Sequence, residues 1–164
     1  MMRFRFNKIL PNALILDLDG VLTDGVFVYG SQGKLFKHFS VDDHDGIRLV
    51  QKFVTVHVIT ADLLGFEIAK RRVEVDMKLP LSHVSAHNRF EWIEKHFDTS
   101  RTIYMGDGIF DNEVFKKVFY SIAPANALSS TRKAADFITK SRGGDRAVAE
   151  ACLHIAKKFF NVKI

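Results

Sequence analysis

One cysteine, three prolines and one tryptophan in 164 residues set the first limits. A lone Cys152 excludes an internal disulfide and a cysteine-rich metal site. It lies in an apolar helical pattern near the C-terminus and reads as a small buried hydrophobe. No segment has the roughly 18 uninterrupted apolar residues that span a membrane. The basic stretch Met1–Asn12 lacks an apolar run of signal-peptide length. The expectation is a cytoplasmic protein with no membrane partner. There is no Walker loop and no GxGxxG after a strand, and the seven histidines show no HExxH or other zinc-type spacing. The formal charge is +5, but the cations form no block. They are scattered as Arg3, Arg5, Lys8, then Lys70, Arg71, Arg72, then Lys116, Lys117, then Lys157, Lys158. That dispersal argues against a nucleic-acid partner, while a moderate basic excess suits a small anionic substrate.

What remains is an ordinary globular composition, 47% apolar and 26% charged, at a length suited to one domain over residues 1–164. Phenylalanine, at 15 copies, is read as packing. Strand and helix patterns alternate. Ala13–Leu16 reads as a buried strand. Val26–Tyr29 and Leu35–Phe39 flank Gly30-Ser31-Gln32-Gly33 as a hairpin. A helix over Asp45–Phe53, with Ile47, Val50 and Phe53 inward, leads to a β-branched strand over Val54–Ile59. Then follow a helix Leu63–Arg72, a short strand Val75–Leu79 stopped by Pro80, and a helix Ala86–Phe97. The rest reads as a strand Thr102–Met105, a helix Phe110–Val118, a strand Tyr120–Ala123, a helix Thr131–Ala135, a strand Phe137–Thr139 and a terminal helix Gly144–Phe160. Such alternation predicts an α/β fold with a mainly parallel sheet covered on both faces. Ligands of these sheets bind beyond the carboxyl ends of the strands.

The first strand ends in Asp17-Leu18-Asp19-Gly20. Two carboxylates beside a core strand need a compensating charge, and a hard cation such as Mg²⁺ supplies one through oxygen ligands. An acidic turn with no further role is the plainer reading. The strand at Met105 runs into Gly106-Asp107-Gly108-Ile109-Phe110-Asp111, where Asp107 or Asp111 could equally cap a helix. The strand between them ends in Thr60, and Arg89 opens a later helix. An acid pair, a hydroxyl, a cation and a second acidic loop form an inventory suited to phosphoryl transfer. One carboxylate attacks, another moves protons, a metal neutralises charge, and a cation and a hydroxyl hold the phosphate.

Through Leu16-Asp17-Leu18-Asp19-Gly20-Val21-Leu22-Thr23-Asp24-Gly25, the hairpin, Phe39-Ser40-Val41-Asp42-Asp43, Gly46-Ile47 and Gly143-Gly144, the chain resembles the haloacid dehalogenase superfamily. More narrowly, it resembles the 3-deoxy-D-manno-octulosonate 8-phosphate phosphatase group, over about Ala13 to Lys157. The resemblance implies a three-layer Rossmann-like fold without a large cap domain. It implies Mg²⁺-dependent hydrolysis of a small phosphorylated sugar acid, 3-deoxy-D-manno-octulosonate 8-phosphate or a related nonulosonate phosphate, as in lipopolysaccharide biosynthesis. Asp17 would be the nucleophile and Asp19 the general acid and base. Mg²⁺ would be held by the Asp17 carboxylate, the Asp19 backbone carbonyl and Asp107, with Asp111 orienting the site from behind. Thr60 and Arg89 would hold the phosphate, and His44 and Arg146 are candidate substrate contacts. A homotetramer is implied, in which one subunit's hairpin shapes a neighbour's site; the apolar content of Phe27–Phe39 agrees with burial.

Four features depart from the group's pattern. Arg89 stands for a lysine, and a planar fork is not a compact ammonium. Gly108 replaces one acid of the last motif. Ala61-Asp62 replaces Gly-Arg, which should repel an anionic substrate. His44 replaces a glycine, and Asp145-Arg146 replaces Arg-Gly. They motivate an alternative: a catalytically weak or inactive member kept as an oligomeric scaffold or regulatory partner.

Overall fold

The computed structural model describes residues 9–163, so Arg3, Arg5 and Lys8 lie outside it. Six strands form one parallel sheet: β1 (Ala13–Asp17), β4 (Thr55–Thr60), β5 (Leu81–His83), β6 (Thr102–Met105), β7 (Tyr120–Ala123) and β8 (Phe137–Ile138). Between β1 and β4 the chain inserts an antiparallel hairpin, β2 (Val28–Gly30) and β3 (Gly33–Phe36), and the helix α1 (Val41–Val50). The remaining helices are α2 (Phe66–Lys70), α3 (Arg89–His96), α4 (Asp111–Phe115), α5 (Ser129–Ala134) and α6 (Ala147–Phe160).

The strand order is β5-β4-β1-β6-β7-β8, every pair parallel. After β1 the chain builds outward through β4 and β5, then returns to lay β6 on the other side of β1. That reversal is a topological switch point, where a crevice opens at the carboxyl ends of the strands. Strand alternation feeds two cores. Leu14, Leu16, Val58, Ile103 and Met105 face one side, packed with Ile47, Val50, Ala151, Ile155 and Phe159 of α1 and α6. Ala13, Ile15, Ile59 and Tyr104 face the other, packed with Ile93, Val114 and Phe115 of α3 and α4. Every residue of β1 is buried, so its terminal Asp17 enters the site from inside the protein. The α/β, three-layer expectation holds, and the insertion after β1 is a hairpin rather than a large cap. Cys152 is fully buried, as expected.

The expected strand Val75–Leu79 is wrong. Residues Arg71–Asp76 instead wind as a wide helical turn, with Met77 N donating to Arg72 O (3.0 Å) and Leu79 N to Val73 O (3.0 Å). Val73, Met77 and Leu79 are buried while Val75, on the same face of an alternating strand, is 40% exposed, so the burial does not follow a strand. Pro80 starts the edge strand rather than stopping one: it has no N–H to give, but its carbonyl accepts from Val58 N (3.0 Å). Helix bounds also shift. The first helix begins at Val41, and Phe53 lies beyond it, 40% exposed and stacked on Phe160 at 4.6 Å. The last begins at Ala147 because Arg146 is left-handed, φ 70°.

Helix α1 packs directly on α6. A Cβ on Gly46 would lie 2.7 Å from Ala149 Cα, so glycine sets this approach. Asp43 crosses the same gap, its Oδ1 accepting from Ala149 N at 2.8 Å. Burial raises the Asp43 carboxyl to about 6, more than its hydrogen bonds from Ala149 and Val148 lower it. A carboxyl raised on folding favours the folded state while protonated, so this contribution is lost as pH rises from about 4 to above 6. Urea denaturation should show the wild type losing stability relative to Asp43→Asn between pH 4.5 and 6.5, with a constant difference above that. A pH-independent difference would show that Asp43 does not titrate in the fold.

Candidate active site

The residues at the ends of β4, β1 and β6 converge on a cavity of about 360 Å³ lined by Asp17, Asp19, Asp62, Arg89 and Asp107, with Ala61, Ala86, Gly108, Ile109 and Phe110 as its apolar wall. Its floor is shaped by the turn after β1. Leu18–Leu22 closes as one wide turn, Thr23 N donating to Leu18 O at 3.0 Å. Gly20 sits at φ +90°, and a Cβ there would meet Asp107 Oδ2 at 2.1 Å. Glycine is therefore what lets the two acidic loops touch. Gly143, in turn, packs on that turn: its Cβ would be 2.0 Å from Gly20 O. Asn126 ties the two together, donating to Gly20 O (2.9 Å) and accepting from Gly143 N (2.6 Å).

Asp17, Asp107 and Asp111 each offer an oxygen within 4.8 Å of the others. Arg89 is buried among them. Its Nη1 pairs with Asp17 Oδ2 at 2.7 Å and with Asp111 Oδ1, and donates to Tyr104 Oη at 3.1 Å. Tyr104 donates to Asp111 Oδ1 at 2.6 Å, and Gly108 N donates to Asp111 Oδ2 at 2.8 Å. Both oxygens of Asp111 are thus engaged, as suits a group that orients its neighbours. The buried Arg89 Nε has no hydrogen-bond partner among the described residues.

Three carboxylates against one guanidinium leave two negative charges in a buried place. The acids respond accordingly. Burial raises Asp17 well above the carboxylate range; Arg89 opposes this, while Asp111, Asp107 and Asp19 add to it. Asp107 is pushed up to about 7, by burial and then by Asp111. Burial works against the charge of Arg89, but Tyr104, Asp17 and Asp111 hold its pKa above the usual value. Clustered carboxylates that ionise reluctantly, all offering hard oxygen donors, fit a divalent cation such as Mg²⁺, whose two charges would balance the excess.

Asp19 turns elsewhere. Its Oδ1 accepts from Lys37 Nζ at 2.8 Å and its Oδ2 from Thr60 Oγ1 at 2.9 Å. Its carboxylate stands at the cavity wall, outside the Asp17–Asp107–Asp111 cluster. Thr60 is fully buried, and its hydroxyl proton is committed to Asp19. His44 lies on α1 and Arg146 beside Asp145 (3.1 Å) and Asp42 (3.8 Å); neither lines the cavity. Asp62 does line it, but is paired with Lys34 and Lys37 and is held below the usual carboxylate range by them against its burial. The expected repulsion from Asp62 is therefore largely cancelled within the chain.

Sequence reasoning missed Tyr104, Lys34, Lys37 and Asn126. Tyr104 had a signal: a phenol inside an otherwise apolar strand, three residues before Asp107, needs a buried partner. The lysines had none, because hairpin positions reveal nothing of where the hairpin folds.

A family model of haloacid dehalogenase-like hydrolases matches residues 91–151. The 3-deoxy-D-manno-octulosonate 8-phosphate phosphatase of Escherichia coli K12 is 34% identical over 146 residues, covering 85% of this chain and 76% of the relative. The cobalt-bound phosphatase of that type from Haemophilus influenzae superposes with a TM-score of 0.79 at 27% identity, over 90% of this chain and 88% of the other. The Moraxella catarrhalis enzyme, solved with magnesium ion, phosphate ion and a KDO molecule, gives 0.76 at 26%, over 92% and 88%.

Because Asp107 must lose its proton to bind a cation, Mg²⁺ affinity should rise with pH through about 7, roughly tenfold per unit for each proton released. Thermal shift should show more stabilisation by Mg²⁺ at pH 7.5 than at pH 5.5. Without metal, the raised acids act in the opposite sense, and stability falls over the same range. Asp107→Asn should remove the Mg²⁺ response and raise the metal-free melting temperature at pH 7.5. A pH-independent Mg²⁺ response would mean that binding releases no proton.

Proposed function

Because the chain belongs to the haloacid dehalogenase-like hydrolase family and is a phosphatase, we propose that it is a Mg²⁺-dependent enzyme forming an aspartyl-phosphate on Asp17. Its substrate would be a small phosphorylated sugar acid, 3-deoxy-D-manno-octulosonate 8-phosphate or a related nonulosonate phosphate. The observation that carries this reading is the convergence of Asp17, Asp19, Arg89 and Asp107 on one cavity. The names of its relatives supply the substrate class. We place the enzyme in the cytoplasm as one domain over residues 1–164; no helix among the described residues is long and apolar enough to cross a membrane.

On this reading the groups act in two steps. An oxygen of Asp17 attacks phosphorus in line with the leaving sugar oxygen; the new P–O bond forms as the ester P–O bond breaks. Asp19, at the cavity wall and protonated when the substrate is bound, gives that proton to the departing oxygen, and the carboxylate left behind is the form that Lys37 and Thr60 hold. Asp19 then takes a proton from water, whose oxygen attacks the phospho-Asp17 phosphorus and frees inorganic phosphate and the carboxylate. Arg89, which lines the cavity, offers its positive charge to the phosphoryl oxygens, while Asp111 and Tyr104 keep the guanidinium in place. A divalent cation on Asp17 and Asp107 would neutralise the charge that develops between nucleophile and phosphate. Thr60 reaches the phosphate only where it releases Asp19, so its first role here is to orient that carboxylate.

A panel of phosphorylated sugar acids, assayed for phosphate release with Mg²⁺ and with chelator, tests this reading. Asp17→Asn should lower release at least about a thousandfold without loss of fold. A folded, Mg²⁺-binding protein that turns over none of the panel would favour the scaffold alternative.

Val26, Val28, Tyr29, Leu35 and Phe36 on and beside the hairpin, and nearby Leu63 and Leu64, are exposed apolar residues. So many in one region mark an interface, and we propose that it joins subunits of a homotetramer. Light scattering should give a tetrameric mass for the wild type and a smaller one for Phe36→Asp. An unchanged mass in the variant would move the interface away from the hairpin.

A further inference from the structure

The anion at position 62 stands at the mouth that an anionic substrate enters, and no step of the proposed reaction uses it. Its surroundings show a built arrangement. Asp62 Oδ1 pairs with Lys34, and Oδ2 lies 2.9 Å from Lys37 Nζ. Lys37 has a fully buried side chain and reaches on to Asp19 Oδ1 at 2.8 Å. On the other side, Asp62 N donates to Thr60 Oγ1 (3.1 Å), and Thr60 donates to Asp19 Oδ2 (2.9 Å). The four residues therefore close a ring: Asp19, Lys37, Asp62, Thr60, and back to Asp19.

The rest of the region accommodates the ring. The Phe27 ring lies beneath both ammonium groups, its centroid 3.7 Å from Lys34 Nζ and 5.3 Å from Lys37 Nζ. A Cβ on Gly65 would fall 2.2 Å from Asp62 Oδ2 and 2.7 Å from Lys37 Cε, so only glycine lets the pair form there. Gly65 N also donates to Asp62 Oδ1 at 3.1 Å. Two ammonium groups with almost no solvent contact stay in place only while a carboxylate answers them. The answering carboxylates are Asp62 and Asp19, two charges against two.

We propose that Asp62 is a positioning residue: it keeps Lys37 on Asp19, fixes both oxygens of the proton-transferring carboxylate, and ties the root of the hairpin to the end of β4. This rests on the reading of Asp19 as acid and base. On this account the acid in place of the group's arginine is part of a working site and not a lesion in it. Without the Asp62 charge, Lys34 and Lys37 turn toward water, the hairpin root loosens, and Asp19 keeps only Thr60.

The test uses the full chain with Mg²⁺ and p-nitrophenyl phosphate, and compares wild type, Asp62→Asn, Asp62→Arg and the double variant Lys34→Glu/Asp62→Arg. It pairs kcat and KM with hydrogen exchange of the hairpin amides 28–36, referenced to the amides of β1 and β6. Asp62→Asn should lower kcat at least tenfold with KM within threefold, and speed hairpin exchange at least tenfold. Asp62→Arg should be worse. The double variant restores a neutral set of four charges and should recover at least fivefold of the kcat lost by Asp62→Arg, together with hairpin protection. An Asp62→Asn enzyme with unchanged kcat, or with a raised kcat/KM as expected of an anion that only repels substrate, overturns the proposal. If the wild type releases no phosphate, the phosphatase reading fails separately. The exchange data then judge the ring alone: faster in Asp62→Asn and restored in the double variant supports it, and unchanged exchange overturns it.

Discussion

The structure depends on the burial of more negative charge than its own cations balance. Asp17, Asp107 and Asp111 meet at the ends of adjacent strands, and a single guanidinium, Arg89, stands among them. Such clustering is unfavourable by itself, as the upward shifts of Asp17 and Asp107 report. The packing enforces it. Gly20 admits Asp107, and a Cβ on Gly106 would fall 2.5 Å from the Asp111 carboxyl carbon. β1 offers no exposed residue through which its end could swing away. A fold that holds acids together against their repulsion is one arranged for a cation, and stability is given up at the place where binding recovers it.

Much of this was legible in the sequence because the chemistry is local. Asp17-Leu18-Asp19-Gly20 and Gly106-Asp107-Gly108 are short segments whose strand and turn can be read from their own residues, and parallel alternation places both at the same edge. Element order survived for the same reason. The failure at Val75–Leu79 shows the limit. β-branched residues suggest a strand, yet Val73 winds into a helical turn and, with Met77 and Leu79 just after it, packs into a core that only the tertiary fold supplies. Lys34 and Lys37 mark a second limit. Their partners, Asp62 and Asp19, lie 28 and 18 residues away. No spacing rule links a hairpin lysine to an acid across that distance.

Arg89 is the departure from the group's pattern that the geometry explains most directly. An ammonium in its place could donate from one nitrogen only, whereas the guanidinium makes its contacts to Asp17, Asp111 and Tyr104 through Nη1 and carries N–H donors on two further nitrogens in a fixed plane. Tyr104 belongs to the same adjustment: its hydroxyl donates to Asp111 while accepting from Arg89. The loss of an acid at Gly108 is answered in kind. The backbone N–H of Gly108, which any residue but proline would offer, donates to Asp111 Oδ2, so this position keeps its part in orienting Asp111 without adding a charge.

The site therefore divides into two halves with different charge. In the first, Asp17, Asp107 and Asp111 outnumber Arg89, and the deficit of positive charge is what a divalent cation supplies. In the second, Asp19 and Asp62 face Lys34 and Lys37 in balance, and no added ion is required. On the proposed mechanism this division gives the two acids of the first motif different tasks, although they are two residues apart. Asp17 points into the half with the excess of negative charge, where the proposed metal and phosphate would bind. Asp19 points into the other half, held by Lys37 and Thr60 and apart from Asp17, Asp107 and Asp111, where it would exchange a proton away from the proposed metal. Adjacent carboxylates with separate partners are what a two-step transfer requires, since one must carry the phosphoryl group while the other carries the proton.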